Sequence, residues 1–194
     1  MASLESKAFN VFLKIIRKKS FLKKQFDWGK FDFFTCPQPP KEILRSCSVE
    51  KHVIHNRNVF TLHPVTTPSK KHILYLHGGA YVQNFVRQHW IFLQALLEDL
   101  HCDITAPDYP LAPAHTYRDA FNMIVPLYKK LIQTVSPSDL ILMGDSAGGG
   151  FALALAQYLR EKDLPQPSKI FLLSPWLDVT MTNPAIKDID PLDP

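Results

Sequence analysis

Cysteine is scarce in this sequence. The three that occur, Cys36, Cys47 and Cys102, are odd in number and lack the spacing of metal ligands. That excludes a disulfide framework and a cysteine-based metal centre, and the thiols are expected to be reduced, as in a cytoplasmic protein. Long apolar runs are also missing, so no segment is expected to span a bilayer. The apolar residues near the N-terminus are broken by Lys7, Lys14 and Arg17, which argues against a secretory leader. There is no internal repeat, and the nearest thing to a linker is Cys36-Pro37-Gln38-Pro39-Pro40. The net charge is only +4, and no nucleic-acid partner is expected. No metal or cofactor is expected either. The last absence is histidine: all eight lie at positions 52, 55, 63, 72, 77, 89, 101 and 115. What remains is ordinary for a globular protein, with 46% hydrophobic and 21% charged residues.

Two stretches of different character follow one another. Up to about Phe26 the pattern is helical, with Leu4, Ala8, Val11, Ile15 and Leu22 on one face and Phe9, Phe12, Ile16 and Phe26 widening it. Lys7, Lys14, Arg17, Lys18, Lys19, Lys23 and Lys24 take the other side. Such a helix is expected to pack on its own domain with its lysines in water. Weak contact with an acidic membrane surface is the alternative. Trp28, Phe31, Phe33 and Phe34 follow and need something to cover, either the domain or a ligand entrance. The expected division is therefore a helical segment over residues 1–45 and a core over residues 46–194.

In the second stretch short apolar runs alternate with helical patterns. Val49 to His55 and Val59 to His63 predict an antiparallel edge hairpin turning at Asn56-Arg57-Asn58. His72 to Leu76 is continuously apolar after its histidine, as in a central strand buried on both faces. Val86, Trp90, Leu93, Leu97 and Leu100 form a helical stripe, and Cys102 to Ala106 is the next strand. Thr116 to Asp119 is a capping box that opens a helix with Tyr117, Phe121, Ile124, Tyr128, Leu131 and Val135 on one face. Pro126 should kink that helix. Leu140 to Met143 is another strand, an Ala/Leu-rich helix runs to Leu159, and Lys169 to Leu173 is the last strand. Strands alternating with helices predict an α/β architecture with a mostly parallel sheet and helices on both faces.

The chemistry-bearing pattern lies between the Leu140 strand and its helix. Gly144-Asp145-Ser146-Ala147-Gly148 is a G-x-S-x-G sequence, and a strand before it and a helix after it make it a nucleophile elbow. Ser146 is the candidate nucleophile. The following helix turns its N-terminus, with unpaired N–H groups, toward any oxyanion formed there. A second pattern, His77-Gly78-Gly79-Ala80-Tyr81, follows the buried strand. Its paired glycines let backbone N–H groups approach a ligand closely. The N–H groups of Gly78, Gly79 and Ala147 are the expected oxyanion hole. His77 is expected to be structural and to hydrogen-bond within its own loop.

Four stretches together resemble signature sequences of the hormone-sensitive-lipase-like branch of the α/β-hydrolases. They are His77 to Tyr81, Asp108-Tyr109-Pro110-Leu111-Ala112-Pro113, Gly144 to Gly149, and Ser174-Pro175-Trp176-Leu177-Asp178. The resemblance runs from about Lys71 onward. It implies the α/β-hydrolase fold, carboxylic-ester hydrolysis through an acyl-enzyme on Ser146, a small-molecule ester as substrate, and an N-terminal helical cap over the acyl pocket. Pro110 stands where the family usually has arginine. A larger departure is that the family places its catalytic acid and histidine after the serine. Here the carboxylates Glu161, Asp163, Asp178, Asp188, Asp190 and Asp193 follow Ser146, but no histidine does. Asp178 belongs to its own turn. The expectation is a C-terminally truncated hydrolase whose last strands, catalytic acid and base are absent from this chain. Two other readings stay open, a catalytically inactive fragment that binds a ligand or partner, and a serine hydrolase of amides or peptides.

Overall fold

The computed structural model describes residues 24, 27, 29, 31–32, 34–43, 47–65 and 69–189. The helix expected up to Phe26 lies, but for Lys24, outside the described residues, as do Asp190 and Asp193. The chain divides into two units. Phe34–Leu177 is one, and Met1–Phe33 with Asp178–Pro194 is the other.

The first unit is built on a six-stranded sheet of order β1-β2-β4-β3-β5-β6. The strands are β1 (Cys47–Ile54), β2 (Arg57–Pro64), β3 (His72–Leu76), β4 (Asp103–Pro107), β5 (Leu140–Asp145) and β6 (Lys169–Leu173). β1 pairs antiparallel with β2, and β2 antiparallel with β4. From β4 through β3 and β5 to β6 every pairing is parallel. All five residues of β3 are buried, which explains its unbroken apolar run. Alternation along it feeds two cores. Leu74 and Leu76 face α2 (Tyr117–Leu131) and α3 (Ser146–Glu161), while Ile73 and Tyr75 face α1 (Arg87–Leu100). The expected α/β-hydrolase sheet is thus present, with helices on both faces.

Local differences from the sequence reading have simple causes. The hairpin turns at His55-Asn56, not at Asn56 to Asn58, because both residues take positive φ (51° and 61°) and Ile54 pairs with Arg57. Two left-handed residues match the twist of the flanking strands. Leu100 and Tyr117 were expected on buried stripes but are 48% and 68% exposed. Each is the terminal residue of its helix. The capping box forms: the Asp119 carboxylate accepts from the Thr116 N–H (2.8 Å) and hydroxyl (2.9 Å). α2 runs unbroken through Pro126, whose missing N–H lies on the exposed side of the helix. Among the described residues no helix is long and apolar enough to cross a membrane. The second unit contains a one-turn helix α4 (Ile186–Ile189) and a turn in which Asp178 accepts from the Thr180 N–H (2.9 Å).

Candidate active site

The register of the sheet brings the two glycine-bearing loops together. Leu76 pairs with Gly144, so β3 and β5 end side by side, and the chain leaves them as His77-Gly78-Gly79 and Asp145-Ser146. Ser146 has φ 50° and is exposed, while Ala147, Gly148 and Gly149 behind it are buried. A left-handed serine costs roughly 1–2 kcal/mol, so the surrounding packing must enforce it. One source of that packing is Gly148. A Cβ there would run into the carbonyl oxygens of Leu76 and His77, so only glycine lets the helix approach the strand end. The Ser146 carbonyl accepts the Trp176 N–H (2.8 Å), and the Trp176 ring lies 5.8 Å from Tyr81. Ala147 sits in the first turn of α3, where an N–H has no partner within the helix.

The loop that leaves β3 is sharply bent. Gly79, Ala80 and Tyr81 take φ of 128°, 53° and 60° in succession. His77 is fully buried, stacked on Tyr109 (4.4 Å) and packed on Phe85 (4.2 Å). Its Nδ1 donates to the Gly78 carbonyl (2.7 Å), so in the neutral ring Nε2 carries the lone pair. That Nε2 is buried without a hydrogen-bond partner. Burial pulls the His77 pKa down to about 3, against the Gly78 bond and the Asp145 charge that favour protonation. A nitrogen this reluctant to bind a proton is a poor acceptor for one from Ser146.

Asp145, the variable position of the elbow pattern, is the best-connected side chain here. Its Oδ1 accepts the Tyr75 hydroxyl (2.6 Å) and the Gly78 N–H (2.7 Å), and its Oδ2 faces His89 Nε2 at 3.5 Å. Burial would raise its pKa, but the bonds from His89, Tyr75 and Gly78 outweigh that and hold the carboxyl below the usual range. Of the three N–H groups expected to line an oxyanion hole, that of Gly78 therefore already has a partner. Sequence reasoning missed Asp145, Tyr75 and His89. The one available signal was Tyr75 itself, since a hydroxyl inside a fully buried strand needs an acceptor.

The Asp108 loop is held from the hairpin. Arg57 donates to the carbonyls of Asp108 (3.1 Å) and Tyr109 (3.0 Å) and pairs with the Asp108 carboxylate (3.1 Å). Asn84 donates to the same carboxylate (2.8 Å). Burial still wins over both and leaves the Asp108 pKa raised. This guanidinium anchors the loop in which Pro110 is buried. The other histidines serve elsewhere: His63 bonds Asp103 (2.9 Å), His72 bonds Thr105 (2.8 Å), and His115 is exposed. Among the described residues no group of three or more His, Cys, Asp or Glu side chains converges as a metal centre requires.

Comparison with known proteins agrees with this geometry. A family profile described as alpha/beta hydrolase fold matches residues 73–192. An esterase of Acinetobacter venetianus is 35% identical over 116 residues, 59% of this chain and 38% of the relative. A triacylglycerol lipase of Mycobacterium tuberculosis is 31% identical over 147 residues, 74% of this chain and 33% of the relative. The crystal structure of an esterase from the bacterial hormone-sensitive lipase family superposes with TM-score 0.69 at 28% identity, covering 76% of this chain and 50% of that one. The chain thus spans between a third and two fifths of the length of these curated relatives.

Proposed function

The chain belongs to the alpha/beta hydrolase fold family, among hydrolases of the esterase and lipase type, and on that premise we propose that its site performs acyl transfer from a small carboxylic ester to Ser146. The observation that carries this reading is Ser146 itself: exposed, left-handed, at the tip of β5 and at the N-terminus of α3. In the proposed reaction Ser146 Oγ attacks the ester carbonyl carbon. The carbonyl oxygen becomes an oxyanion and accepts hydrogen bonds from the N–H groups of Ala147 and Gly79. Collapse expels the alcohol, which leaves with a proton, and water then hydrolyses the acyl-serine. Gly78 contributes through the bond that ties its N–H to Asp145. His77 shapes the loop and takes no proton. The segment over residues 1–45 is proposed as the acyl cap.

Proton transfer decides how far the 194 residues go alone. No histidine follows Ser146, and His77, enclosed and held neutral, is no base for it. We therefore propose negligible ester turnover by this polypeptide by itself, and a slowly reactive serine. In subtilisin, losing the histidine of the triad lowers turnover by about a million-fold. The test is mass-spectrometric mapping of a fluorophosphonate adduct, with parallel assays of short p-nitrophenyl esters and anilides. An adduct on Ser146, lost in Ser146→Ala, is expected. An adduct that survives Ser146→Ala would refute the nucleophile, and rapid ester turnover by the 194 residues would refute the missing base.

A further inference from the structure

Asp145 joins three elements at the point where the oxyanion loop begins. Tyr75 comes from the end of β3, Gly78 from the loop and His89 from α1, and all three meet one carboxylate. The contact is close on the glycine side as well: a Cβ on Gly78 would collide with Asp145 Oδ2. The donors have defined protonation. Burial and the Asp145 charge raise the Tyr75 pKa far above its usual value, so its hydroxyl stays a donor. The Val86 N–H donates to His89 Nδ1 (3.0 Å), so in the neutral ring the proton sits on Nε2, the nitrogen that faces Asp145.

Resting on the acyl-transfer reading above, we propose that Asp145 is a positioning residue that clamps the Gly78 peptide to the elbow. The clamp fixes the next N–H, that of Gly79, relative to Ser146. Asp145 and Ser146 are adjacent in the chain, so a bond from the Asp145 side chain to Gly78 ties the loop directly to the nucleophile. The loop downstream bends through three successive positive-φ residues and is next held where the Ala112 N–H reaches the Tyr81 carbonyl (2.8 Å), so the Asp145 bond sets its near end. Without the clamp the Gly78 N–H loses its acceptor, and only the Tyr109 hydroxyl on the His77 carbonyl and His77 Nδ1 on the Gly78 carbonyl still hold these peptides, so the Gly79 N–H is aimed less tightly. Oxyanion stabilisation depends on donors already aimed before charge develops.

Two measurements on the 194-residue chain test this. Selective 15N-glycine labelling leaves seven glycine residues to resolve, of which Gly78 is one. Its amide proton should resonate downfield, exchange slowly, and lose both properties in Asp145→Ala, which removes the acceptor. Phosphonylation of Ser146 by a fluorophosphonate gives the second reading. Asp145→Ala should lower the maximal inactivation rate about tenfold while leaving the reagent's half-saturation concentration within about twofold. A merely structural role would lower the melting temperature without that split. If Asp145→Ala does not fold, the unsubstituted chain still decides: a Gly78 amide exchanging at the rate of an open loop overturns the clamp. Equal inactivation rates in the two chains would overturn the inference alone. Absence of any adduct on Ser146 in the unsubstituted chain would overturn the acyl-transfer reading, and the inference with it.

Discussion

Replacing Gly148 by alanine would show whether the Ser146 turn and the loop that leaves β3 are locked together through backbone contact. The added methyl meets the carbonyl oxygens of Leu76 and His77 and lies 2.6 Å from the His77 carbonyl carbon. These are main-chain atoms at the end of a fully buried strand, so no side chain can swing aside. The His77 carbonyl is also fixed from its other side, where it accepts the Tyr109 hydroxyl at 2.6 Å. Alanine in a helix is worth about 1 kcal/mol over glycine, which favours the variant. Overpacking costs about 1–3 kcal/mol, and a weakened Tyr109 bond adds about 1 kcal/mol. The balance is a net loss of about 1–3 kcal/mol. For a chain of this size that lowers the melting temperature by about 2–4 °C per kcal/mol. Gly149→Ala is the internal comparison. Its methyl would lie 2.9 Å from the Pro175 Cβ and 3.1 Å from the Gly144 carbonyl oxygen, a milder crowding that should be tolerated better. Thermal melts of the two variants by circular dichroism give the order. A Gly148→Ala chain as stable as the original, or more stable than Gly149→Ala, would refute the idea that strand end and helix are in contact there.

Tyr75→Phe removes a donor to a charged acceptor and should cost about 1.5–3 kcal/mol in urea unfolding; a loss below about 0.5 kcal/mol would count against the Asp145 network. Asp145 should also appear in the pH dependence of stability. Its folded pKa is depressed, so its contribution is complete above the unfolded aspartate pKa of about 4 and fades as pH falls through the lower folded value. The groups around it are Tyr75 from β3, His77 and Gly78 from the loop, His89 from α1 and Tyr109 beyond β4. Asp145→Asn should flatten that acid limb, and an unchanged limb would assign it to other carboxylates. At the edge of the sheet, β6 exposes Ile170, Phe171 and Leu173 by 38%, 45% and 39%. Such an edge invites pairing between chains. Phe171→Lys should therefore reduce self-association in light scattering, and a monodisperse unsubstituted chain would refute the argument.

Much of the fold was legible because burial writes itself into pattern. β3 is buried at every position, so it reads as a continuous run, and its depth in the sheet follows from that alone. Helices α1 and α2 carry one-sided stripes whose middles, Trp90, Leu93 and Leu97 in the first and Ile124 and Tyr128 in the second, are buried as read. The stripes failed at their ends, at Leu100 and Tyr117, because periodicity continues past the point where the sheet stops offering a surface. The hairpin turn slipped by a residue for a different reason. His55 carries no turn signature, and its positive φ is imposed by the β1–β2 register.

The site divides along the same line between pattern and placement. Ser146, the two glycines and His77 could be read because each belongs to a motif of fixed spacing on one chain segment. What no spacing contains is the distance between two segments. The elbow pattern treats the residue before the serine as free, yet here it accepts the Gly78 N–H at 2.7 Å across a gap of 67 positions. That contact exists because Leu76 and Gly144 are register partners, and register is set by burial over whole strands. The expectation of three N–H donors comes from two motifs taken separately; with the strands in register, the Gly78 N–H is bonded to Asp145. Asp145 is then the residue through which the sheet's register reaches the His77–Tyr81 loop, and on the clamp proposed above its substitution should disturb the geometry of the Gly79 N–H before it disturbs the fold.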